Sequence, residues 1–244
     1  MNRPFAFRVT SCFCVCILFV LCHSTAAQNS NSPDAAQQQP TIVRVGAVSI
    51  AIPSPTNGLV EPGPDYRVLF EPLAGAANRL VAAFVPQDQM EAIHAGKAPP
   101  MNEYALVEIG RRVEFTRIDP STFQQISEVM AKQLGGDIKD VQTQSQDELN
   151  QKLKSLGSSA NVTMDKPIQL GAFFAKTDSI GFGMIMPYNV NGTITRMAGC
   201  LAEVRVRDRV LSVFTYAAYK DEGTVKWVKT TAEQWADAIL KANQ

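Results

Sequence analysis

The sequence has almost no histidine and little usable cysteine. Two histidines occur in 244 residues, and four of the five cysteines (Cys12, Cys14, Cys16 and Cys22) crowd into one apolar stretch near the start. Downstream of that stretch His94 and Cys200 are the only residues of either type, apart from His23 at its border. A lone thiol cannot form a disulfide within its own chain, so no disulfide framework is available. A closed zinc site needs four nitrogen or sulfur ligands, and two such residues fall short. A serine triad announced by G-x-S-x-G is missing, as is the D-x-D-x-D-G order of an EF-hand. Gly181-Phe182-Gly183 is followed by an apolar run rather than a helix, so it reads as a tight strand and not as a phosphate loop. Acids at Asp137, Asp140, Asp147 and Glu148 read as a solvated helix start. The sequence therefore assigns no catalytic, cofactor-binding or metal-binding residue.

Charge of one sign is also lacking. Lys and Arg total 23, and Asp and Glu total 23. Nucleic acids and anionic membranes are usually met by a basic patch or cluster, and no such run is visible along the chain. Nor does any apolar run approach the roughly 20 residues of a membrane helix.

What the chain does have begins with residues 1–27. Arg3 and Arg8 precede the apolar stretch CFCVCILFVLC at residues 12–22, and Ala26-Ala27 follow it. Basic start, short apolar middle and small residues at the end are the parts of a secretory signal. Cleavage after Ala27 would leave Gln28 first, and the remainder would carry 21 basic (23 − 2) against 23 acidic residues. The expected location is exported, periplasmic or extracellular, with no membrane span after cleavage. Val20-Leu21 before Cys22 are too bulky for a lipoprotein signal. Residues 28–40, QNSNSPDAAQQQP, are polar and read as a disordered tether, because they bury too little apolar area to offset chain entropy. Residues 41–244 read as a single α+β domain.

Within that domain, residues 41–53 are β-branched and read as one strand. Residues 66–71 and 79–85 read as a strand pair, 87–95 as a short helix and 104–115 as a strand. Asp119-Pro120 opens a helix with Phe123, Ile126, Met130 and Leu134 on one face. Ser145 and Glu148 have capping-box spacing for a second helix. Residues 167–175, 180–188, 193–206 and 209–219 read as successive antiparallel strands. A last helix is expected over 231–242, capped by Thr230 and Glu233, with Trp235 and Ile239 facing the sheet. Regular βαβ alternation is absent, which argues for an antiparallel sheet covered by helices. Cys200 falls inside a strand between apolar neighbours and reads as a core residue. His94 sits at a helix end, where a cationic side chain is favoured. Asn161 and Asn191 head glycosylation sequons that matter only in a eukaryotic secretory pathway.

The segment AEVRVRDRVLSVFTYAAY, a polar joint and the closing EQWADAILKAN resemble the end of a PsbP-like domain. The opening strand near 42–53 and the helix at 121–134 fit the same order. The resemblance implies an α/β/α sandwich around an antiparallel sheet, in an exported bacterial protein. Members of that fold act mostly as binding or assembly factors. The expected function is thus a non-enzymatic binding or assembly protein for an unknown protein or small molecule, without nucleic acid and without a cofactor. A hydrolase with an unrecognised carboxylate site, such as a spatially paired one, and a small apolar-ligand carrier are the alternatives.

Overall fold

The computed structural model describes residues 39–75, 77–95, 102–134, 150–151, 162–190 and 192–244. The signal at 1–27, all but the last two residues of the tether, most of the helix expected from Ser145, and both sequon asparagines lie outside them.

Near-continuous apolar runs build most of the sheet, because both of its faces are buried. Strands β1 (Thr41–Val45) and β2 (Val48–Ile52) form a separate two-stranded hairpin. Strands β3 (Leu59–Val60), β4 (Asn78–Pro86), β5 (Glu103–Gly110), β6 (Val162–Met164), β7 (Ile168–Lys176), β8 (Ser179–Val190), β9 (Thr193–Val206) and β10 (Arg209–Ala218) make one sheet. Its order is β3-β4-β5-β10-β9-β8-β6, with β7 also paired to β8, and every pairing is antiparallel. The expected run of four strands at the end of the chain is present as the meander β7 to β10. Helices α1 (Met90–His94), α2 (Pro120–Leu134) and α3 (Glu222–Ala242) complete the described elements. The class is α+β, dominated by the antiparallel sheet.

Each sheet face carries its own core. On one face α3 lays Val228, Ala232, Trp235, Ala236 and Ile239 over Ala198, Cys200, Val204 and Val213, and the β1–β2 hairpin adds Val43, Val45, Ile50 and Ile52. The Trp235 ring meets Phe84 edge to face at 5.4 Å. On the other face α2 contributes Phe123, Ile126 and Met130 against Leu106, Leu201, Phe214 and Tyr216. Asp119 caps α2 as expected, since its Oδ1 accepts the Thr122 amide at 2.7 Å. Gly181 and Gly183 leave room for the Phe174 and Phe173 rings that lie on them, which is why two glycines occupy a central strand.

Four expectations are corrected. Residues 41–53 are a hairpin rather than one strand. The buried positions Val43 and Val45 resume at Ile50 and Ile52, so the two-residue period breaks in between, and Gly46 turns the chain at φ +57°. Residues 66–71 form no strand. They lie in 3-10 turns, Pro64–Leu69 and Glu71–Leu73, where Pro64 and Pro72 fix φ and offer no amide to a ladder. Strand β5 ends at Gly110, and 111–115 is a turn in which Arg111 donates to the Ala77 carbonyl. Helix α3 starts at Glu222, not Thr231. Asp221 caps it by accepting from the Thr224 amide, and Thr231 is buried mid-helix. The β-branched residues of its first half have modest helix propensity, which burial of Val228 and Thr231 overrides.

Candidate functional site

Antiparallel pairing brings distant parts of the chain to one end of the sheet. Asn78 at the start of β4 faces Gly110 at the end of β5, and Arg209 at the start of β10 faces Val206 at the end of β9. The β1–β2 turn joins them, because the Gly46 amide donates to Glu114 Oε1. The segment after β5 is held there too, by the Ile118 amide donating to the Asp208 carbonyl. Arg207 and Asp208 form the β9–β10 turn with φ of 49° and 57°. The two-residue hairpin turn needs positive φ at both positions.

Eight of the ten arginines that follow residue 27 meet at this end: Arg44, Arg79, Arg111, Arg112, Arg117, Arg205, Arg207 and Arg209. Three have carboxylate partners. Arg79 grips Glu114 through Nε at 3.2 Å, and that bond holds the Glu114 carboxyl below its ordinary range. Arg117 pairs with Asp208 at 2.8 Å, and Arg205 with Asp178 at 2.6 Å and Asp208 at 3.0 Å. Others reach only carbonyl oxygens. Arg44 Nε donates to Gly46 at 3.3 Å, Arg207 Nη1 to Ser49 at 2.9 Å and Arg209 Nη1 to Thr116 at 3.2 Å. Arg111 and Arg112 are exposed, and neither forms an ion pair among the described residues. Among the described residues the surface carboxylates here are Glu114, Asp119, Asp178 and Asp208, with Glu108 buried beside Asn78, so arginines outnumber acids at this end. Between Arg112 and Arg117 stands Phe115, 77% exposed, its ring beside Gly46.

No basic cluster was visible along the sequence, and the fold supplies one. RRVEFTR at 111–117 and RVRDR at 205–209 were its only local traces, each split by an acid. Arg44 and Arg79 join them only through tertiary pairing.

The other candidates resolve as follows. Cys200 is buried, 1% exposed, and burial raises its thiol pKa, so it has no thiolate character. Arg205 lies an odd number of positions along the strand, on the opposite sheet face from Cys200. His94 is exposed at the end of α1 with Tyr66 packed on its ring at 4.7 Å. No cluster of three His, Cys, Asp or Glu side chains suited to a metal forms among the described residues. Their helices are also too short or too polar to cross a membrane.

One pair of carboxyls does converge. Ser212 on β10 faces both Glu108 on β5 and Glu203 on β9. Ser212 Oγ donates to Glu203 Oε1 at 2.9 Å, and Asn78 Nδ2 donates to Glu108 Oε2 at 2.7 Å. Burial pushes the Glu203 carboxyl up to about 8, and the neighbouring Glu108 adds to the shift. Both are sealed, at 3% and 7% exposure, so no substrate reaches them in this conformation. A shallow cavity of about 250 Å³ lies on the outer face of the hairpin, lined by Ile42, Ser49, Ala51, Arg207 and Asn243. It adjoins the arginine end and mixes apolar with polar walls. Compared with known proteins, the chain matches no family model, no curated protein and no solved structure.

Proposed function

We propose that this chain is an exported, non-catalytic binding protein that docks through the arginine end of its sheet onto an anionic partner. The observation that carries the reading is the gathering of eight arginines at one end of the sheet, more than the acids described around them, in a chain of balanced total charge. Guanidinium groups match carboxylate and phosphate geometry with two parallel hydrogen bonds, so a cluster in which Arg111 and Arg112 stay exposed and outside any ion pair among the described residues favours anions. The signal-like first 27 residues support export. Helix α3 and the hairpin on one sheet face, with α2 on the other, support an α/β/α sandwich of the PsbP-like kind. The carboxyl pair at Glu108 and Glu203 is buried, so it does not itself supply the open site that the hydrolase alternative requires.

At low ionic strength the protein should be retained on a heparin column despite its near-zero net charge. The double variant Arg111→Glu/Arg112→Glu should elute at clearly lower salt while melting at the unchanged temperature, because both side chains are exposed. Co-elution of the two proteins would sink the assignment of the site.

A further inference from the structure

We infer that the partner of the arginine end is a bilayer surface bearing anionic phosphate headgroups, with Phe115 inserted among them. This rests on the reading of that end as a docking surface. The strand ends and turns there present arginines in a group, with Arg111, Arg112 and Arg117 closest in sequence to an almost bare phenyl ring. A ring 77% exposed between arginines in sequence is left largely uncovered by the described residues, and burying its apolar area elsewhere is favourable. An interface of headgroups over acyl chains suits both parts at once: phosphate for the guanidiniums and hydrocarbon for the ring. The second exposed apolar side chain of the region, Ile42, is 66% exposed on the outer face of the hairpin, two positions from Arg44.

Two other polyanions fit less well. Single-stranded nucleic acid is held by a groove with several aromatic rings on which successive bases stack, and this end offers one exposed ring. An acidic protein would need an apolar interface core of aromatic and aliphatic anchors, and the two exposed apolar side chains named here, Phe115 and Ile42, are too few to form one.

Three features set this surface apart from a generic solvated charge run. Its cations are arginine rather than lysine, although lysines are as numerous as the arginines after residue 27. Several of the arginines are held by backbone carbonyls, as in Arg207 to Ser49 and Arg209 to Thr116, while Arg111 and Arg112 stay exposed. The turn that carries Phe115 is itself pinned, by the Gly46 amide to Glu114 and by Arg79 to the same carboxylate. The ring is thus presented on a rigid mount.

The test is cosedimentation of the full chain with two kinds of vesicle, phosphatidylcholine alone and phosphatidylcholine mixed with phosphatidylglycerol. Binding is expected only to the mixed vesicles, and it should vanish near 1 M salt, where the screening length falls to about 3 Å. Arg111→Glu/Arg112→Glu should lower the partition by at least about 25-fold, from about fivefold per basic residue at an anionic surface. Phe115→Ala should lower it by about tenfold with the salt dependence kept. Phe115→Trp should bind as the native chain does, and brominated acyl chains should quench it more strongly than the native chain, whose Trp235 is buried and whose Trp227 is half-buried in α3. Equal binding to neutral vesicles, or no added quenching of Phe115→Trp, would overturn the proposal. Heparin retention without any vesicle binding would overturn the bilayer and leave the docking surface standing. Tighter, salt-sensitive binding to a single-stranded oligonucleotide than to the mixed vesicles would replace the bilayer with nucleic acid.

Discussion

Trp235→Ala is expected to destabilise the domain by about 3–5 kcal/mol, the range for emptying a buried aromatic site. Trp235 is 1% exposed in the middle of α3. Its ring fills the space between the helix, Phe84 of β4 and the end of the β1–β2 hairpin. Its indole Nε1 donates to the Pro53 carbonyl at 2.7 Å, tying the helix to the segment that leaves β2. Truncation therefore opens a cavity and strips a partner from a backbone acceptor. A loss of that size is a large share of the roughly 5–15 kcal/mol that holds a typical domain. Trp235→Phe separates the two contributions. It keeps most of the ring volume and should cost less, with about 1 kcal/mol of that from the missing hydrogen bond. Urea unfolding of the three proteins measures both numbers. If Trp235→Ala unfolds within 1 kcal/mol of the native chain, α3 is an appendage and the two-core description fails.

Glu203→Gln is expected to remove a pH dependence from the fold. The Glu203 carboxyl titrates near 4.5 when unfolded and near 8 in the fold, chiefly because burial disfavours its charge. Between those values the folded chain holds a proton that the unfolded chain has released. Stability must then fall as pH rises, because the folded state binds more protons. The native chain should be more stable at pH 5 than at pH 8 by on the order of 2–4 kcal/mol, at about 1.4 kcal/mol per pH unit. The amide of Gln keeps an oxygen to accept from Ser212 and carries no proton to lose. Its stability should be flat across this window and higher than the native chain's at pH 8. Glu114 and Asp119 work the other way. Their carboxyls are lowered, by Arg79 and by the Thr122 amide respectively, so their contribution disappears only at more acidic pH. Denaturant midpoints for both proteins from pH 5 to pH 8 give the answer. Parallel curves would mean that Glu203 is ionised in the fold and that its burial is relieved by something other than protonation.

The meander β7 to β10 was legible from sequence because strands of that length with short polar turns leave few alternatives. Asp119-Pro120 gave the start of α2 for an equally local reason, since an Asp cap and a first-turn proline act within four residues. Helix α3 starts earlier than its local sequence signal, because capping-box spacing at Thr230 and Glu233 also occurs by chance mid-helix. Only the packing of Val228 and Thr231 shows that the helix is already under way there. The hairpin looks like one strand in sequence because β-branched residues continue through it, and the break lies in the phase of burial around Gly46.

The sequence by itself determined the α+β class, the antiparallel run, the buried state of Cys200 and Trp235, and the shortage of residues for zinc or triad chemistry. Each follows from short-range pattern or from counting. Only the tertiary structure decided where the charge goes. A balanced total says nothing about distribution, and Arg44, Arg79, the 111–117 segment and the β9–β10 turn are neighbours because tertiary pairing returns them to one place. Strand register set Glu108 and Glu203 on either side of Ser212, and burial there raised a carboxyl pKa that no local sequence signal could foretell.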